Sequence, residues 1–174
     1  MAELPLEKTP VAVEGSGVEK ALRKAAPSQE DAARAGAARL NAAALKEYER
    51  GNYRKAEALL TEAVSGSQEP VFIRNLAAVK LKLDDMEGAA SLLGPLEDDP
   101  LVRPTLKGIY ITLGNRASLR GDAAAAAEYY GKGARLDPDD RELKEAIKRL
   151  DKENDAERGM GVREGGRFIV KFEG

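Results

Sequence analysis

Small and apolar side chains recur along residues 107–138 at the spacing of α-helices. Ala126 and Tyr130 lie one helical turn apart, and a segment with the same periodicity precedes them. Gly121 lies between the two segments, where a glycine ends one helix and permits a turn. Pro138 follows the second segment, and a proline cannot continue a helix. The stretch therefore predicts a hairpin of two helices with a length of about 34 residues.

Two earlier stretches of the chain repeat this order of residues. Two helices that cross at close range need a small side chain at the crossing, and that residue recurs as Ala56, Ala89 and Ala126. A larger side chain there would overpack the hairpin. Gly51 followed by Asn52 has the composition of the turn inside the first hairpin. We therefore predict an all-α fold with three consecutive hairpins.

The connection between the second and third hairpins is irregular. Gly94-Pro95 is predicted to interrupt the second helix of hairpin two, because proline lacks the N–H group that the helix needs. Pro100 and Pro104 then predict a long and stiff connection. The third hairpin is predicted to begin at Lys107.

The N-terminal part precedes the hairpins. Residues 1–16 combine prolines and glycine with charged residues and are predicted to be a flexible lead-in. Residues 17–36 are predicted to be a helical extension, in which Pro27 ends a first short helix. Ser28 is the predicted N-cap of the next helix, because its hydroxyl can accept from the N–H group three residues on. That helix is expected to extend to about Arg50.

The last hairpin needs a cap, because it leaves an apolar face without a following repeat. A helix from about Asp140 to Asn154 has a suitable pattern, with apolar residues on one stripe and charged residues elsewhere. The stripe consists of Leu143, Ile147 and Leu150, and Arg149 is assigned to the solvated face.

The C-terminal residues 155–174 differ in composition from the rest. Four glycines, at positions 159, 161, 165 and 166, predict a flexible tail. Alternating apolar residues then predict a possible β-strand at 167–172. A lone strand of this kind needs a partner, because it cannot satisfy its own edge.

The third hairpin carries the full repeat motif. Its residues are Tyr110-x2-Leu113-Gly114-x2-Ala117, then Ala126-x3-Tyr130, then Leu136-Asp137-Pro138. With the two earlier copies, residues 37–154 resemble a tetratricopeptide repeat protein. The resemblance implies a right-handed solenoid of about three helical hairpins. It also implies a non-enzymatic scaffold, which binds a peptide or a helix of a partner protein in a concave groove.

The resemblance further implies which side chains face that groove, since the first helix of each hairpin lines it. These residues are Asn41, Leu45 and Tyr48 in the first hairpin, Arg74, Leu81 and Lys82 in the second, and Ile111, Asn115 and Ser118 in the third. The polar members could hydrogen-bond an extended peptide or hold a carboxylate, and the apolar members could form a floor for a hydrophobic side chain. The alternative is that some of them face solvent, or cover the N-terminal helix packed into the groove.

Composition excludes several other functions. A net charge of -2 provides no basic face for nucleic acid. The absence of His and Cys excludes a thiolate nucleophile, a Cys/His zinc site and a His-based triad, so we predict no catalytic residue, no metal and no cofactor. Three acidic runs, at 84–85, 98–99 and 137–140, are interpreted as turns and helix caps. No apolar run approaches the ~20 residues of a membrane span.

The tail leaves an alternative function open. Residues 165–174 are similar to the strand that opens a zinc-metallopeptidase-like domain after helical repeats. The alternative is therefore a non-catalytic recognition or regulatory part of a larger enzyme, such as a peptidase. The strand could instead mediate self-association, or pair with residues 11–13. Localisation stays open, cytoplasmic for a complete chain and periplasmic or exported for a trimmed one.

Overall fold

The computed structural model describes residues 28–164, and the side chains of residues 28–156. Seven α-helices and one 3-10 turn make up this part of the chain. They are α1 Gln29–Glu49, α2 Tyr53–Gly66, α3 Pro70–Lys82, α4 Met86–Leu93, the turn Gly94–Leu96, α5 Arg103–Leu119, α6 Ala123–Leu136 and α7 Arg141–Glu164. The predicted all-α architecture of helical hairpins is confirmed for the described residues. The predictions for residues 1–27 and 165–174 lie outside the described residues.

The chain divides into two compact units, unit 1 up to Leu106 and unit 2 from Lys107. In unit 1, α1 begins with the predicted N-cap. The Ser28 hydroxyl accepts from the Asp31 N–H at 3.1 Å, and the Asp31 carboxylate accepts from the Ser28 N–H at 3.2 Å. The helix ends at Glu49, and Gly51 follows with a φ of 78° that favours glycine.

Small residues at the helix crossings form the core of unit 1. Ala44 of α1 and Ala56 of α2 are both fully buried and pack with Leu60, Leu76 and Val79. The predicted crossing residue of the second hairpin, Ala89, is also fully buried. Because these side chains are short, the helices approach closely and the larger residues fill the space beside the crossing.

The interruption after α4 is confirmed, while the following helix begins earlier than predicted. Helix α4 ends at Leu93, and Gly94–Leu96 form the 3-10 turn. Helix α5 begins at Arg103, so Pro104 lies in its first turn and not in a connecting loop. A proline is tolerated there, because the first N–H groups of a helix have no partner within it.

In unit 2, α5 and α6 form the predicted third hairpin, with Gly121 at the turn and a φ of 76°. Ala117, Ala126 and Tyr130 pack with Leu143, Ala146 and Leu150 of α7. The predicted cap helix is thus confirmed, with Ile147 partly buried against the same cluster. Gly114 has a specific role, because a Cβ atom at this position would collide with the Tyr130 ring.

Helix α7 is longer than predicted. It ends at Glu164 and not at about Asn154, so Gly159 and Gly161 lie within the helix instead of a flexible passage. A glycine in a helix costs only about 1 kcal/mol relative to alanine, and the segment also contains good helix formers. Within residues 28–164, no helix combines the length and the apolar character of a membrane span.

Ion pairs and hydrogen bonds connect side chains of the helices with side chains at the adjacent turns. The Glu47 carboxylate accepts from Arg50 at 3.0 Å, Asn52 at 2.9 Å and Lys55 at 3.1 Å. The bonds from Asn52 and then Lys55 lower the pKa of Glu47. Lys107 donates to Asp137 at 2.8 Å and to Asp140 at 2.5 Å, and these bonds lower the pKa of both carboxyl groups. The native structure therefore stabilises the ionised form of these three carboxyl groups relative to the unfolded chain.

Replacing Gly114 with alanine should destabilise unit 2 by about 1–3 kcal/mol, because the new methyl group overlaps the Tyr130 ring. Gly131 of α6 provides the matched control, since a Cβ there meets no atom within 4 Å. Gly131→Ala should raise helix stability by about 0.5–1 kcal/mol. Urea unfolding followed by circular dichroism measures both changes, and equal stability of the two variants would contradict the packing role of Gly114.

Stability should decrease in acid. In the unfolded chain these carboxyl groups bind protons with pKa values of about 3.9 for Asp and about 4.3 for Glu, above their values in the native state. The unfolded state therefore binds more protons below about pH 5, and the free energy of unfolding falls as pH decreases through the native pKa values. Urea unfolding at stepwise lower pH measures this slope.

The variant Lys107→Met tests whether the Lys107 contacts cause the decrease in stability at low pH. Without its ammonium group, Asp137 and Asp140 lose the bond that lowers their pKa, so the acid-dependent loss of stability should become smaller. Lys144→Met removes an exposed lysine from α7 and serves as the control. If both variants have the same acid slope as the parent, the Lys107 contacts do not contribute to it.

Candidate functional site

In unit 1, several predicted groove residues lie inside the packed structure. Asn41 is fully buried, and its Oδ1 accepts from Asn75 Nδ2 at 2.8 Å. Arg74 is 8% exposed and pairs with Asp99 at 2.9 Å. Leu45 is also buried. These side chains hold α1, α3 and the loop after α4 in place, so direct contact with a ligand would require them to repack.

The other predicted residues of unit 1 are more accessible. Tyr48 is half-buried, and its ring packs edge-on against Tyr53 with 5.2 Å between the ring centroids. Leu81 is half-buried and Lys82 is exposed, both at the C-terminal end of α3. Unit 1 thus presents a small accessible surface at the end of this helix.

In unit 2, Asn115 and Ser118 line a cleft with a volume of about 410 Å³. Helix α5 also contributes Leu119, and α6 contributes Tyr130. The wall from α7 consists of Ala146, Arg149, Leu150 and Glu153. The third predicted residue, Ile111, is half-buried and packs against the hydrophobic core beside them.

The floor of the cleft is fixed by Tyr130. Its ring packs where Gly114 has no side chain, and its hydroxyl donates to Asn115 Oδ1 at 2.7 Å. A tyrosine hydroxyl is protonated at neutral pH, and burial raises the pKa of Tyr130 further, so the hydroxyl can act as the donor. Because the Asn115 oxygen accepts this bond, its Nδ2 group is left to donate to another partner.

The rim of the cleft combines an apolar and a charged part. Leu119 is 89% exposed, and among residues 28–156 only one other large aliphatic side chain, Leu101 at 59%, is exposed. Arg149 and Glu153 are exposed on α7. Their charges reach the floor of the cleft, since Arg149 lowers and Glu153 raises the pKa of Tyr130 in addition to the larger effect of burial.

Sequence reasoning did not identify Leu119, Arg149 and Glu153 as site residues. The sequence predicts Arg149 on the solvated face of the last helix, and the side chain is indeed exposed. The prediction did not include that Arg149 also lines the cleft. The sequence does indicate that these residues share one face of the helix, because positions 146, 149, 150 and 153 follow the i, i+3, i+4, i+7 spacing. That face adjoins the buried stripe instead of lying opposite to it.

The acidic runs form local caps and turns, as predicted. Asp85 accepts from the Gly88 N–H at 2.9 Å, and Asp140 accepts from the Leu143 N–H at 3.0 Å, each at the start of a helix. Asp99 accepts from the Leu101 N–H within the connection after α4. In the described part of the chain, no three acidic residues are grouped so that they could hold a metal ion.

A second cleft lies in unit 1, with a volume of about 510 Å³ beside the start of α1 and the start of α3. Of its charged groups, Asp31, Arg34 and Glu69 have partners within the protein. Arg34 pairs with Glu69 at 2.5 Å, and Asp31 forms the capping bonds with Ser28. Most of the charge that lines this cleft is therefore already engaged within the protein, whereas both charged residues that line the cleft in unit 2, Arg149 and Glu153, are exposed.

Comparison with known proteins adds a structural neighbour. A scan against protein-family models and a search of curated proteins give no match. Among solved structures, the chain is similar to the first TPR domain of Spaghetti (RPAP3), which was solved bound to an HSP90 peptide. The similarity covers 69% of this chain and 94% of that chain, with 17% sequence identity and a TM-score of 0.41.

Tyr130→Phe should remove the bond that holds Asn115 without changing the packed ring. We expect a loss of about 0.5–1.5 kcal/mol in the free energy of unfolding, the usual net contribution of one hydrogen bond. Tyr129→Phe is the matched control, because Tyr129 lies on the same helix and is only partly buried. Urea unfolding compares the two variants, and equal losses would show that the Tyr130–Asn115 bond contributes nothing specific.

Proposed function

We propose that the protein is a non-enzymatic interaction scaffold and that the cleft in unit 2 binds an extended segment of a partner protein. One observation supports this proposal above the others. The bond from Tyr130 leaves the Asn115 Nδ2 group available as a donor, and Leu119 is exposed beside it. A polypeptide offers the matching groups, with backbone carbonyl oxygens as acceptors and aliphatic side chains for the exposed leucine.

An extended segment fits better than a helical one. In a helix the backbone carbonyl groups accept bonds from N–H groups of the same helix, so few remain for a side-chain amide. In an extended segment the carbonyl groups are available. The Ser118 side chain, half-buried in the same wall, supplies a second polar group.

The chemistry of the lining favours binding over catalysis. Acid–base catalysis most often uses His, and a Ser nucleophile needs a base within hydrogen-bond reach to activate it. This chain has neither His nor Cys. Ser118 lines the cleft together with Arg149 and Glu153, an arrangement of donors and charges that suits recognition. No cofactor or metal enters the proposal.

We propose a different role for the groove residues of unit 1. Asn41, Leu45, Tyr48 and Arg74 would support the packing of the first two hairpins. Leu81 and Lys82 would provide a further contact surface for a partner at the end of α3. The alternative functions, part of a larger enzyme and self-association through residues 167–172, rest on residues outside the described ones, and no observation in unit 1 or unit 2 favours either.

A random-peptide display selection on the immobilised protein tests the proposal. Peptides that bind should be synthesised, and their affinity measured by fluorescence anisotropy. Asn115→Ala should weaken binding about fivefold, which corresponds to one hydrogen bond of ~1 kcal/mol. Arg135→Ala, an exposed change near the end of α6, should leave the affinity unchanged. Failure to select any peptide, or equal affinity for both variants, would overturn the proposal.

A further inference from the structure

Two opposite charges face the cleft from the same wall. Arg149 and Glu153 lie one turn apart on α7, line the cleft together and are exposed. Among residues 28–156, neither has an ion-pair partner within 4.0 Å, although each is within one helical turn of the other. A charged ligand could therefore pair with either group without first breaking an internal bond.

The absence of a bond between these two residues is not explained by their spacing. Arg141 and Glu145 lie in the same helix with the same order and the same four-residue separation, and they form an ion pair at 2.9 Å. The two pairs differ in position, since residues 141 and 145 do not line the cleft, whereas residues 149 and 153 do. The side chains of the second pair thus lie beside the cleft and remain available to its contents.

We infer that Arg149 and Glu153 determine the charge of the peptide, so that the cleft selects a segment with one acidic and one basic side chain. This inference rests on the proposed function. The acidic side chain would pair with Arg149 and the basic one with Glu153. A peptide with two acidic side chains would be disfavoured, because the second would approach Glu153, and like charges repel.

The spacing of the two charges indicates how the peptide carries them. Four residues along a helix correspond to a rise of about 6 Å. In an extended chain, side chains two residues apart point to the same side and are separated by about 6.7 Å. The acidic and basic residues should therefore be separated by one residue, with an aliphatic neighbour for Leu119.

Three capped peptides test this inference: Ac-Leu-Glu-Ala-Lys-NH2, Ac-Leu-Lys-Ala-Glu-NH2 and the neutral Ac-Leu-Gln-Ala-Gln-NH2. Titration is followed by NMR, through the side-chain amide signals of Asn115. One of the two charged orders should bind about fivefold more tightly than the neutral peptide, within the range for exposed ion pairs. The two charged peptides have the same composition, so a difference between them reports the arrangement of charges.

A charge exchange in the protein provides the decisive comparison. In the double variant Arg149→Glu/Glu153→Arg, the preference should move to the other charged peptide. The double variant Arg141→Glu/Glu145→Arg exchanges the same residue types at the same spacing outside the cleft and should keep the original preference. Both pairs are exposed, so neither exchange should unfold the helix.

The outcomes separate the inference from the proposed function. Equal binding of all three peptides to every variant would overturn the charge selection while leaving a peptide-binding cleft. A fourth peptide with two acidic side chains, Ac-Leu-Glu-Ala-Glu-NH2, should bind more weakly than the favoured mixed-charge peptide, and tighter binding of it than of either mixed-charge peptide would also overturn the inference. If no peptide shifts the Asn115 signals, and display selection yields none either, the proposed function itself fails.

Discussion

The close approach of two helices within each hairpin is the constraint on which the rest of the structure depends. It requires very small side chains at the crossing, which Ala44 and Ala56 provide in the first hairpin and Ala126 in the third. Deeply buried leucine and valine side chains can then fill the space on either side. In unit 2 the requirement is stricter, since Gly114 must lack a side chain for the Tyr130 ring to fit. The same contact positions the tyrosine hydroxyl at Asn115, so hairpin packing also orients the candidate site.

Residues that act within one hairpin could be predicted from the sequence. The Ser28 cap, the Gly51 turn, the interruption at Gly94-Pro95 and the stripe on the last helix all depend on neighbours a few residues away. The start of α5 could not be predicted in this way. A proline at position 104 fits either a loop or a first helical turn, and the local pattern does not distinguish them.

The candidate site depends on longer contacts, so less of it was predictable. Asn115 and Ser118 were identified from their position in the repeat, and they do line the cleft in unit 2. The same argument selected Asn41, whose burial depends on an asparagine that follows in the next hairpin. Arg149 and Glu153 belong to a helix with no counterpart in the repeat motif, and their proximity to Tyr130 required the packing of α7 against α6.

Helix α7 presents two adjoining faces with different consequences. One face, with Leu143 and Leu150, covers the core of unit 2. The adjoining face, with Arg149 and Glu153, forms the charged wall of the cleft. Sequence changes in the charged face would leave the buried contacts intact. Under the proposed function, the hairpins could therefore stay constant through evolution while the preference of the cleft for its peptide changed through a few surface residues of the last helix. Under the same proposal, substitutions confined to this one helix would be enough to change which peptide the cleft binds, without altering any hairpin.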